Sequence, residues 1–309
     1  MKRIKAVLVG VDVYERSDVP PLRGCVNDVA LVRRVLKEYF GVPNEDIRVV
    51  VNQRATKANI VHRLRTMIQQ AEPGDVVVFY FSGHGSQIRD RDGDELTDSL
   101  DELICPYDMD WDRRTYILDD DLDALFANLP PDILLEVFLD CCFWGANPRE
   151  LQAEPGQPPL EAAGVRYLSP PLDIASRADG DEERLRFHTF SECHCFEDRN
   201  VLWAASAEGQ PAAEDLLEGR AHGVFTYWGC RFIEANLERL RHQNYGRGEL
   251  LEDLRAYMHS LGYAQSAELN APPELWATGP FMPAAEWDTR ASRAGQTWMS
   301  RDPARPPRR

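Results

Sequence analysis

The sequence contains the apolar run Asp75-Val76-Val77-Val78-Phe79-Tyr80-Phe81, which leads directly into Ser82-Gly83-His84-Gly85-Ser86. A second run, Ile133-Leu134-Leu135-Glu136-Val137-Phe138-Leu139, leads in the same way into Asp140-Cys141-Cys142. Each run is short and rich in β-branched and aromatic residues, so each is predicted to form a buried strand. In open α/β sheets, functional groups gather beyond the carboxyl ends of the strands. If the two strands are neighbours, an imidazole and a thiol lie side by side, as a cysteine nucleophile requires.

Strand-like and helix-like segments alternate through the first half of the chain. Apolar runs predict strands at residues 4–11 and 47–51, and helical spacing predicts helices at residues 27–39 and 57–70, the second capped by Thr56. The later predictions are a short helix capped by Asp119 or Asp120 and running through Leu125, a strand at residues 200–206, and helices at residues 224–236 and 249–261. This order predicts an α/β fold with a mostly parallel central sheet covered by helices.

Composition limits the classes of partner and compartment. The chain has 309 residues, with 35 Lys and Arg against 51 Asp and Glu, for a formal charge of −16. That balance argues against a nucleic acid or an anionic membrane as partner. The apolar run at residues 6–11 contains Gly10 and is followed at once by Asp12, which favours a first strand over a signal peptide. Seven irregularly spaced cysteines favour a reducing compartment over a disulfide framework, so we expect a cytoplasmic protein.

The pairing of His84 with Cys142 is the strongest indication of chemistry. A thiol is mostly protonated at pH 7, and an adjacent imidazole can take its proton and return it to a leaving amine. The N–H groups of Gly85 and Cys142 are candidate donors to the oxyanion. Taken singly, each side chain has a structural explanation, as a buried core thiol or a hydrogen-bonded loop histidine. Taken together, two such motifs at the ends of predicted strands favour catalysis.

These motifs resemble those of the caspase-like peptidases, and most of all the metacaspases and their bacterial relatives. Residues 80–87 match the histidine motif of that family, and Asp140-Cys141-Cys142 matches its cysteine motif, in which the second cysteine is the nucleophile. Further blocks recur in the same order: residues 22–29, 101–106, 117–122, 222–227 and 273–275. The resemblance spans about residues 2–282, with a gap over a long loop, and implies a caspase-like sheet with helices on both faces.

The resemblance also implies how the chain is divided. We expect a single peptidase domain over residues 1–283 that consists of a larger part (1–145), a linker (146–198) and a smaller part (199–283), followed by a flexible tail at residues 284–309. The linker carries several arginines: Arg149, Arg166, Arg177, Arg184 and Arg186. One hypothesis is a latent form whose linker covers the substrate pocket until the enzyme itself or an upstream protease cuts it. The alternative is an exposed insertion with scattered charges.

By resemblance, the pocket for the residue before the cleaved bond is lined by Cys25, Asp28, Ser82 and Asp140. Two carboxylates suit a planar guanidinium, which predicts cleavage of proteins or peptides after Arg, then Lys. Cleavage after Asp would need a basic pocket, and the sequence offers none. The structural alternatives are a helix-terminal acid for Asp28 and a strand-end cap for Asp140.

Calcium is a further expectation from the resemblance, as an activator and not as a requirement of the chemistry. Its ligands would be Asp101, Asp119 and Asp120, and the acid-rich stretch at residues 90–98 offers more oxygens. The family has a further aspartate just past the nucleophile, but Arg149 stands near that place in this chain. The alternative for the acid-rich stretch is a solvated loop that binds no metal. Cys193-His194-Cys195 lacks the spaced partners of a zinc site.

One departure from the family keeps a second function open. The family usually continues its cysteine motif with His-Ser-Gly, whereas this chain has Phe143-Trp144-Gly145. The leading prediction is a cysteine endopeptidase with a His84–Cys142 dyad. The alternative is a catalytically silent, caspase-like scaffold that binds basic peptides. An unrelated α/β hydrolase or nucleotide-binding domain is disfavoured, because the sequence has no G-x-S-x-G, Walker A or G-x-G-x-x-G motif after a strand.

Overall fold

The fold is built around a six-stranded sheet. A computed structural model of the chain describes residues 3–89, 100–143, 164–171, 174, 200–207 and 210–282. Its strands are β1 (Ile4–Gly10), β2 (Ile47–Val51), β3 (Val76–Ser82), β4 (Gly85–Arg89), β5 (Leu100–Ile104), β6 (Ile117–Leu118), β7 (Leu134–Asp140), β8 (Gly164–Val165), β9 (Asn200–Ala204), β10 (Ala213–Leu217), β11 (Arg220–Gly223) and β12 (Glu268–Asn270). The central sheet has the order β12-β9-β7-β3-β1-β2, and its pairs are parallel except for β12 on β9.

Helices cover both faces of the central sheet, as the resemblance implied. They are α1 (Cys25–Glu38), α2 (Lys57–Gln69), α3 (Asp119–Phe126), α4 (Val224–Ala235), α5 (Leu237–Arg241), α6 (Arg247–Ser260) and α7 (Pro273–Trp276). Alternate residues of β1 enter different cores: Val7 and Val9 join the apolar cluster with α2 and α3, whereas Ala6 and Leu8 join the cluster with α1, α4 and α6. A strand buried on both faces needs the unbroken apolar runs that the sequence shows.

Several sequence predictions agree with these elements. The Thr56 hydroxyl accepts the Asn59 N–H and caps α2 as expected. The predicted cap of α3 is wrong: the helix begins at Asp119, and Leu118 occupies the N-cap position. Three aspartates fall in the first turn instead, where the helix dipole favours negative charge, and Asp121 accepts the Leu118 N–H at 3.2 Å.

Two small antiparallel sheets were not predicted from sequence. One has the order β4-β5-β6 and the other β11-β10-β8. Their strands are short and partly polar, so local periodicity could not separate them from loops. The first follows directly after the His84 motif. The second brings a piece of the predicted linker, β8, against the later part of the chain.

Parts of several predictions lie outside the described residues. These parts are the acidic stretch at residues 90–98, Trp144, most of the linker with Arg149, Arg177, Arg184 and Arg186, the Cys193–Cys195 motif and the tail at residues 284–309. The division into larger part, linker, smaller part and tail therefore stays a prediction. In the described ranges, every helix is too short or too polar to cross a bilayer.

Candidate functional site

The two motifs singled out in the sequence lie side by side. Strands β3 and β7 are adjacent and parallel, and their last residues, Ser82 and Asp140, are partners in the register. The Gly83 N–H continues the pairing with a 3.4 Å bond to the Asp140 carbonyl. His84 and Cys142 therefore follow neighbouring strand ends, and both are almost fully buried.

Hydrogen bonds fix the orientation and tautomer of the His84 ring. Its Nε2 lies 2.8 Å from the Pro20 carbonyl oxygen, which can only accept, so Nε2 carries the hydrogen. Its Nδ1 is buried and makes no hydrogen bond within the described residues, so it presents a free lone pair. The His84 backbone N–H donates to the Tyr14 hydroxyl at 2.8 Å, which holds the segment that carries the ring.

The charge state of His84 follows from its burial. Loss of solvent lowers the pKa of the imidazole to about 4; the bond to Pro20 opposes this shift and the Arg166 charge adds to it. At neutral pH the ring is therefore uncharged, which is the form that a general base needs. The Cys142 thiol donates to the Gln210 carbonyl oxygen at 3.1 Å.

A carbonyl oxygen from the linker lies between the two motifs. The N–H groups of Gly85 and Cys142 both donate to the Arg166 oxygen, at 3.0 and 3.1 Å. A side chain at position 85 would not fit, because its Cβ would lie 2.4 Å from the Cys142 oxygen. Two backbone donors that converge on one carbonyl have the geometry of an oxyanion hole.

The Arg166 side chain fills the predicted acidic pocket. Its Nη2 lies 2.7 Å from Asp28 Oδ2, and its Nη1 lies 2.9 Å from both Asp140 Oδ1 and Ser82 Oγ. Glu214 adds a third carboxylate, 3.6 Å from Nη2. The guanidinium is 0% exposed, and a buried cation persists only where carboxylates and hydrogen bonds surround it.

The linker crosses the site in an extended conformation. Before Arg166, β8 pairs antiparallel with β10, and the Arg166 N–H donates to the Ala212 oxygen at 3.1 Å. After it, Tyr167 forms a parallel bridge with Gly85. Residues 164–168 thus pair with β10 before the Arg166 carbonyl and with β4 after it.

Comparison with known proteins places these features in a family. A model of the metacaspase peptidase C14 domain matches residues 4–147, which include both motifs. The match covers just under half of the chain, and together with the relatives described below it supports a caspase-like peptidase of the metacaspase family. Its members are cysteine-type endopeptidases, so the chain belongs to that class of enzyme.

Two curated relatives illustrate the extent of the likeness. Metacaspase-1A of Aspergillus oryzae is 28% identical over 302 residues, which are 88% of this chain and 68% of that protein. Metacaspase-1 of Meyerozyma guilliermondii is 37% identical over 150 residues, which are 46% of this chain and 35% of that protein. Among solved structures, a protein of Geobacter sulfurreducens superposes with a TM-score of 0.64 at 17% identity, covering 92% of this chain and all of its own; it supports the fold alone.

The four pocket residues expected from the family converge as a group. Asp28, Ser82 and Asp140 contact Arg166 directly, and all three are completely buried. Cys25 is also fully buried, and burial raises the pKa of its thiol well above the ordinary value, with Arg166 opposing the shift. Burial likewise raises the pKa of Asp140, and the Arg166 charge again opposes the shift.

Several residues of this pocket escaped the sequence reasoning. Glu214 stands on β10, whose strand was not predicted, so nothing local indicated its role. His222 and Thr226 lie in the block at residues 222–227 that resembles the family, but the sequence indicates no role for either side chain. His222 Nδ1 donates to Asp28 at 2.9 Å, and the Thr226 hydroxyl donates to Asp140 at 2.5 Å.

Gly223 permits the close packing around this pocket. A Cβ at position 223 would lie 2.2 Å from Asp140 Oδ2 and 2.4 Å from Arg166 Nη1. Its N–H donates to both Asp28 oxygens, at 3.1 and 3.0 Å. A side chain here would displace either the carboxylate or the guanidinium.

The residues expected to hold calcium are not brought together in the same way. Asp101 on β5 and Asp119 at the start of α3 are buried, and Asp120 is half-buried. In the described part of the chain, one group of three candidate ligands has its atoms within 4.8 Å of one another: Asp12, Cys25 and Glu214. Carboxylates of that group accept backbone N–H groups at the start of α1, including Cys25 N–H to Asp12 and Gly24 N–H to Glu214, both at 2.7 Å. Calcium binding at the expected aspartates stays a prediction.

Proposed function

We propose that this metacaspase cleaves proteins and peptides after Arg, and more slowly after Lys, with Cys142 as nucleophile and His84 as general base. One observation carries the proposal: Arg166 has its guanidinium among the pocket carboxylates while its carbonyl oxygen accepts two backbone N–H bonds. A substrate residue before the cleaved bond needs both contacts at once.

The proposed reaction begins with transfer of the Cys142 proton to Nδ1 of His84. The sulfur forms a bond to the carbonyl carbon while the carbonyl π electrons move to oxygen, which the N–H groups of Gly85 and Cys142 stabilise. The intermediate collapses, the C–N bond breaks, and the amine leaves with the proton held by His84. Water, deprotonated by the same imidazole, then releases the acid and restores the thiol.

The preference for Arg over Lys follows from the two ends of the guanidinium. Nη1 is engaged by Asp140 and Ser82, and Nη2 by Asp28, on the other side of the group. A lysine ammonium has one nitrogen and cannot address both carboxylates with the same fork geometry. We therefore expect kcat/KM to be higher for Arg than for Lys, and negligible for Asp, which would add a fourth carboxylate to the pocket.

Regulation by the linker is part of the proposal. In the uncut chain, Arg166 occupies the position that a substrate arginine would take, so the enzyme is latent. Cleavage of the Arg166–Tyr167 bond, by the chain itself or by an upstream protease, would release the side chain from the pocket. Arg166 is supported as the processing position because its guanidinium lies among the pocket carboxylates while its carbonyl oxygen accepts two backbone N–H bonds.

Calcium remains a proposed activator, with Asp101, Asp119 and Asp120 as ligands. The expected cytoplasmic location is likewise a proposal. Calcium activation is tested by a calcium titration in which peptide hydrolysis and melting temperature are both measured. If neither changes, calcium is not an activator.

The test of the main proposal uses purified full-length chain with fluorogenic peptides that end in Arg, Lys or Asp, with and without Ca²⁺. We expect hydrolysis of the Arg peptide first and a new amino terminus at Tyr167 in the processed protein. Equal hydrolysis of the Asp peptide would contradict the proposed pocket. An uncut chain that is already fully active would contradict the proposed latency.

The alternative is a catalytically silent scaffold that binds basic peptides. Phe143, which replaces a family histidine, favours it because the ring lies close to the oxyanion donor: a Cβ on Gly85 would be 3.1 Å from Phe143 Cδ1. The scaffold predicts that peptides bind through Asp28 and Asp140 and that none is cut, in the wild type or in Cys142→Ala. Cleavage lost on Cys142→Ala supports the enzyme.

A further inference from the structure

We propose that this site also recognises the chain beyond the cleaved bond, through a subsite on β4 that takes an apolar side chain two residues after the arginine. In the uncut protein Leu168 fills this subsite. The inference rests on the proposed function, because it takes the Arg166 segment as a substrate-like occupant. The subsite is a second determinant of substrate specificity, in addition to the arginine pocket.

Main-chain contacts on the far side of Arg166 define the subsite. The Leu168 N–H donates to the Gly85 oxygen at 2.9 Å, and the Ser86 hydroxyl donates to the Leu168 oxygen at 2.6 Å. Tyr167 and Gly85 form the parallel bridge between them. Gly85 therefore serves both sides of the bond: its N–H binds the Arg166 oxygen and its carbonyl binds the residue two positions later.

The side chains beyond the bond enter different cores. Leu168 is 8% exposed and belongs to the apolar cluster that contains Ile88 of β4 and Leu103 of β5. Tyr167 is half-buried and packs against the cluster on the other side. Successive side chains of an extended segment point to opposite sides, so this division fits a strand-like ligand. Ser169 is exposed, and the close burial ends there.

Release of the linker explains why the subsite would act on substrates. The Ser86 hydroxyl is 0% exposed and donates to Leu168, so departure of residues 166–168 removes the partner of a buried polar group. It also uncovers the apolar surface that Leu168 covers. Both changes cost free energy, and an extended substrate with an apolar residue at this position reverses both.

The substrate class follows from these contacts. It is a protein segment that can extend across the site, with Arg before the cleaved bond and an apolar residue such as Leu at the second position after it. An acidic residue there would lose its solvation in an apolar surrounding and is expected to be rejected. Peptides whose reporter dye directly follows Arg leave this subsite empty.

The experiment measures peptide binding to a chain that cannot cleave and whose site is open. The protein carries Cys142→Ala, with Arg166→Ala and Leu168→Asp to release both anchors of the linker. The fluorescently labelled peptide Gly-Val-Arg-Tyr-Leu-Ser is compared with peptides in which Leu is replaced by Gly or Asp, and with one in which Arg is replaced by Ala. We expect Kd to rise about tenfold or more for the Gly and Asp peptides, the size expected for loss of a buried leucine.

A Ser86→Ala change in the same protein gives an independent readout. We expect weaker binding of the six-residue peptide and unchanged binding of Gly-Val-Arg-amide, which ends before the subsite. If Ser86→Ala weakens the binding of both peptides equally, Ser86 has only a structural role and the inference is overturned.

The outcomes separate the two proposals. Equal Kd values for the Leu, Gly and Asp peptides, with binding lost for the Ala-for-Arg peptide, would overturn the subsite and leave the arginine pocket intact. Equal Kd values for the Arg peptide and the Ala-for-Arg peptide would overturn the proposed function and the subsite with it. If the opened protein does not fold, self-cleavage of the full chain decides: Leu168→Asp must slow cleavage after Arg166 relative to Leu168→Ile, and equal rates overturn the inference.

Discussion

Nη2 of Arg166 lies 2.7 Å from Oδ2 of Asp28, and both side chains are completely enclosed. The two residues are 138 positions apart in sequence. Their contact joins the linker to α1 and places a cation where Asp140 and Glu214 also supply negative charge. This ion pair therefore links the stability of the uncut chain to the occupancy of its pocket.

Removal of the linker cation should destabilise the uncut protein. In a Cys142→Ala background, we expect Arg166→Ala to lower the free energy of unfolding by about 3 kcal/mol or more, because it leaves buried carboxylates without their partner. Arg166→Lys should cost less, since it keeps the charge. Urea unfolding measures both, and an unchanged midpoint for Arg166→Ala would show that the carboxylates do not need the cation.

Neutralising either pocket aspartate should impair recognition of arginine. We expect Asp28→Asn and Asp140→Asn each to lower kcat/KM for an Arg peptide by about 100-fold, because a hydrogen-bonded charge pair contributes about 2–3 kcal/mol. Glu218→Gln is the matched control, since Glu218 is an exposed carboxylate near the tip of the β10–β11 hairpin. Steady-state kinetics on the processed enzyme measure the effect, and equal rates for Asp28→Asn and Glu218→Gln would exclude the pocket.

The two adjacent cysteines should differ in function. Cys142→Ala is expected to abolish cleavage, because Cys142 is the proposed nucleophile and its N–H is one of the two that bind the Arg166 oxygen. Cys141→Ala should retain most of the activity, because burial raises the pKa of the Cys141 thiol well above the ordinary value. Peptide hydrolysis and labelling of the active thiol by an arginine-directed electrophile compare the variants. Loss of labelling in Cys141→Ala but not in Cys142→Ala would reverse the assignment.

Burial of neutral His84 should make the uncut protein less stable in mild acid. Its pKa is about 4 in the folded chain, against 6.5 for an ordinary histidine. Because the unfolded chain binds the proton more readily, this contribution is fully present above pH 6.5 and falls as the pH drops toward 4, by about 3 kcal/mol in total.

A difference measurement isolates the His84 contribution. The raised pKa of Asp140 acts in the opposite direction, since its contribution falls as the pH rises above 3.8. Unfolding of Cys142→Ala is therefore compared with that of Cys142→Ala/His84→Gln between pH 7 and 4.5. The stability advantage of the histidine chain should shrink as the pH falls, and a constant difference would contradict a buried neutral ring.

The hydroxyl of Tyr14 should affect kcat, because it helps to hold His84 in position. Tyr14→Phe removes the acceptor of the His84 N–H while it keeps the ring, whose centroid lies 5.2 Å from the imidazole. We expect a fall in kcat of several-fold to about tenfold, as for loss of one hydrogen bond of about 1 kcal/mol, with little change in KM. A change in KM alone would place the effect on substrate binding.

The sequence by itself determined five strands of the central sheet and the two motifs that follow β3 and β7, but not the short edge strand β12. Strands β3 and β7 are continuous apolar runs, so the local sequence is enough to predict that both faces of each strand are buried. The end of each run also predicts where the following motif begins. His84 and Cys142 could be named because each follows such a run, whereas Cys25, Asp28, Ser82 and Asp140 were named through the resemblance to the metacaspases.

Only the tertiary structure decided which linker arginine enters the pocket and what surrounds it. Arg166 is one of several arginines in a segment without periodicity, and its selection depends on pairing of β8 with β10. Glu214 and His222 reach the same pocket from a hairpin that local propensity did not reveal. Contacts between residues more than 100 positions apart depend on chain topology and complementary charge, which a local pattern does not encode.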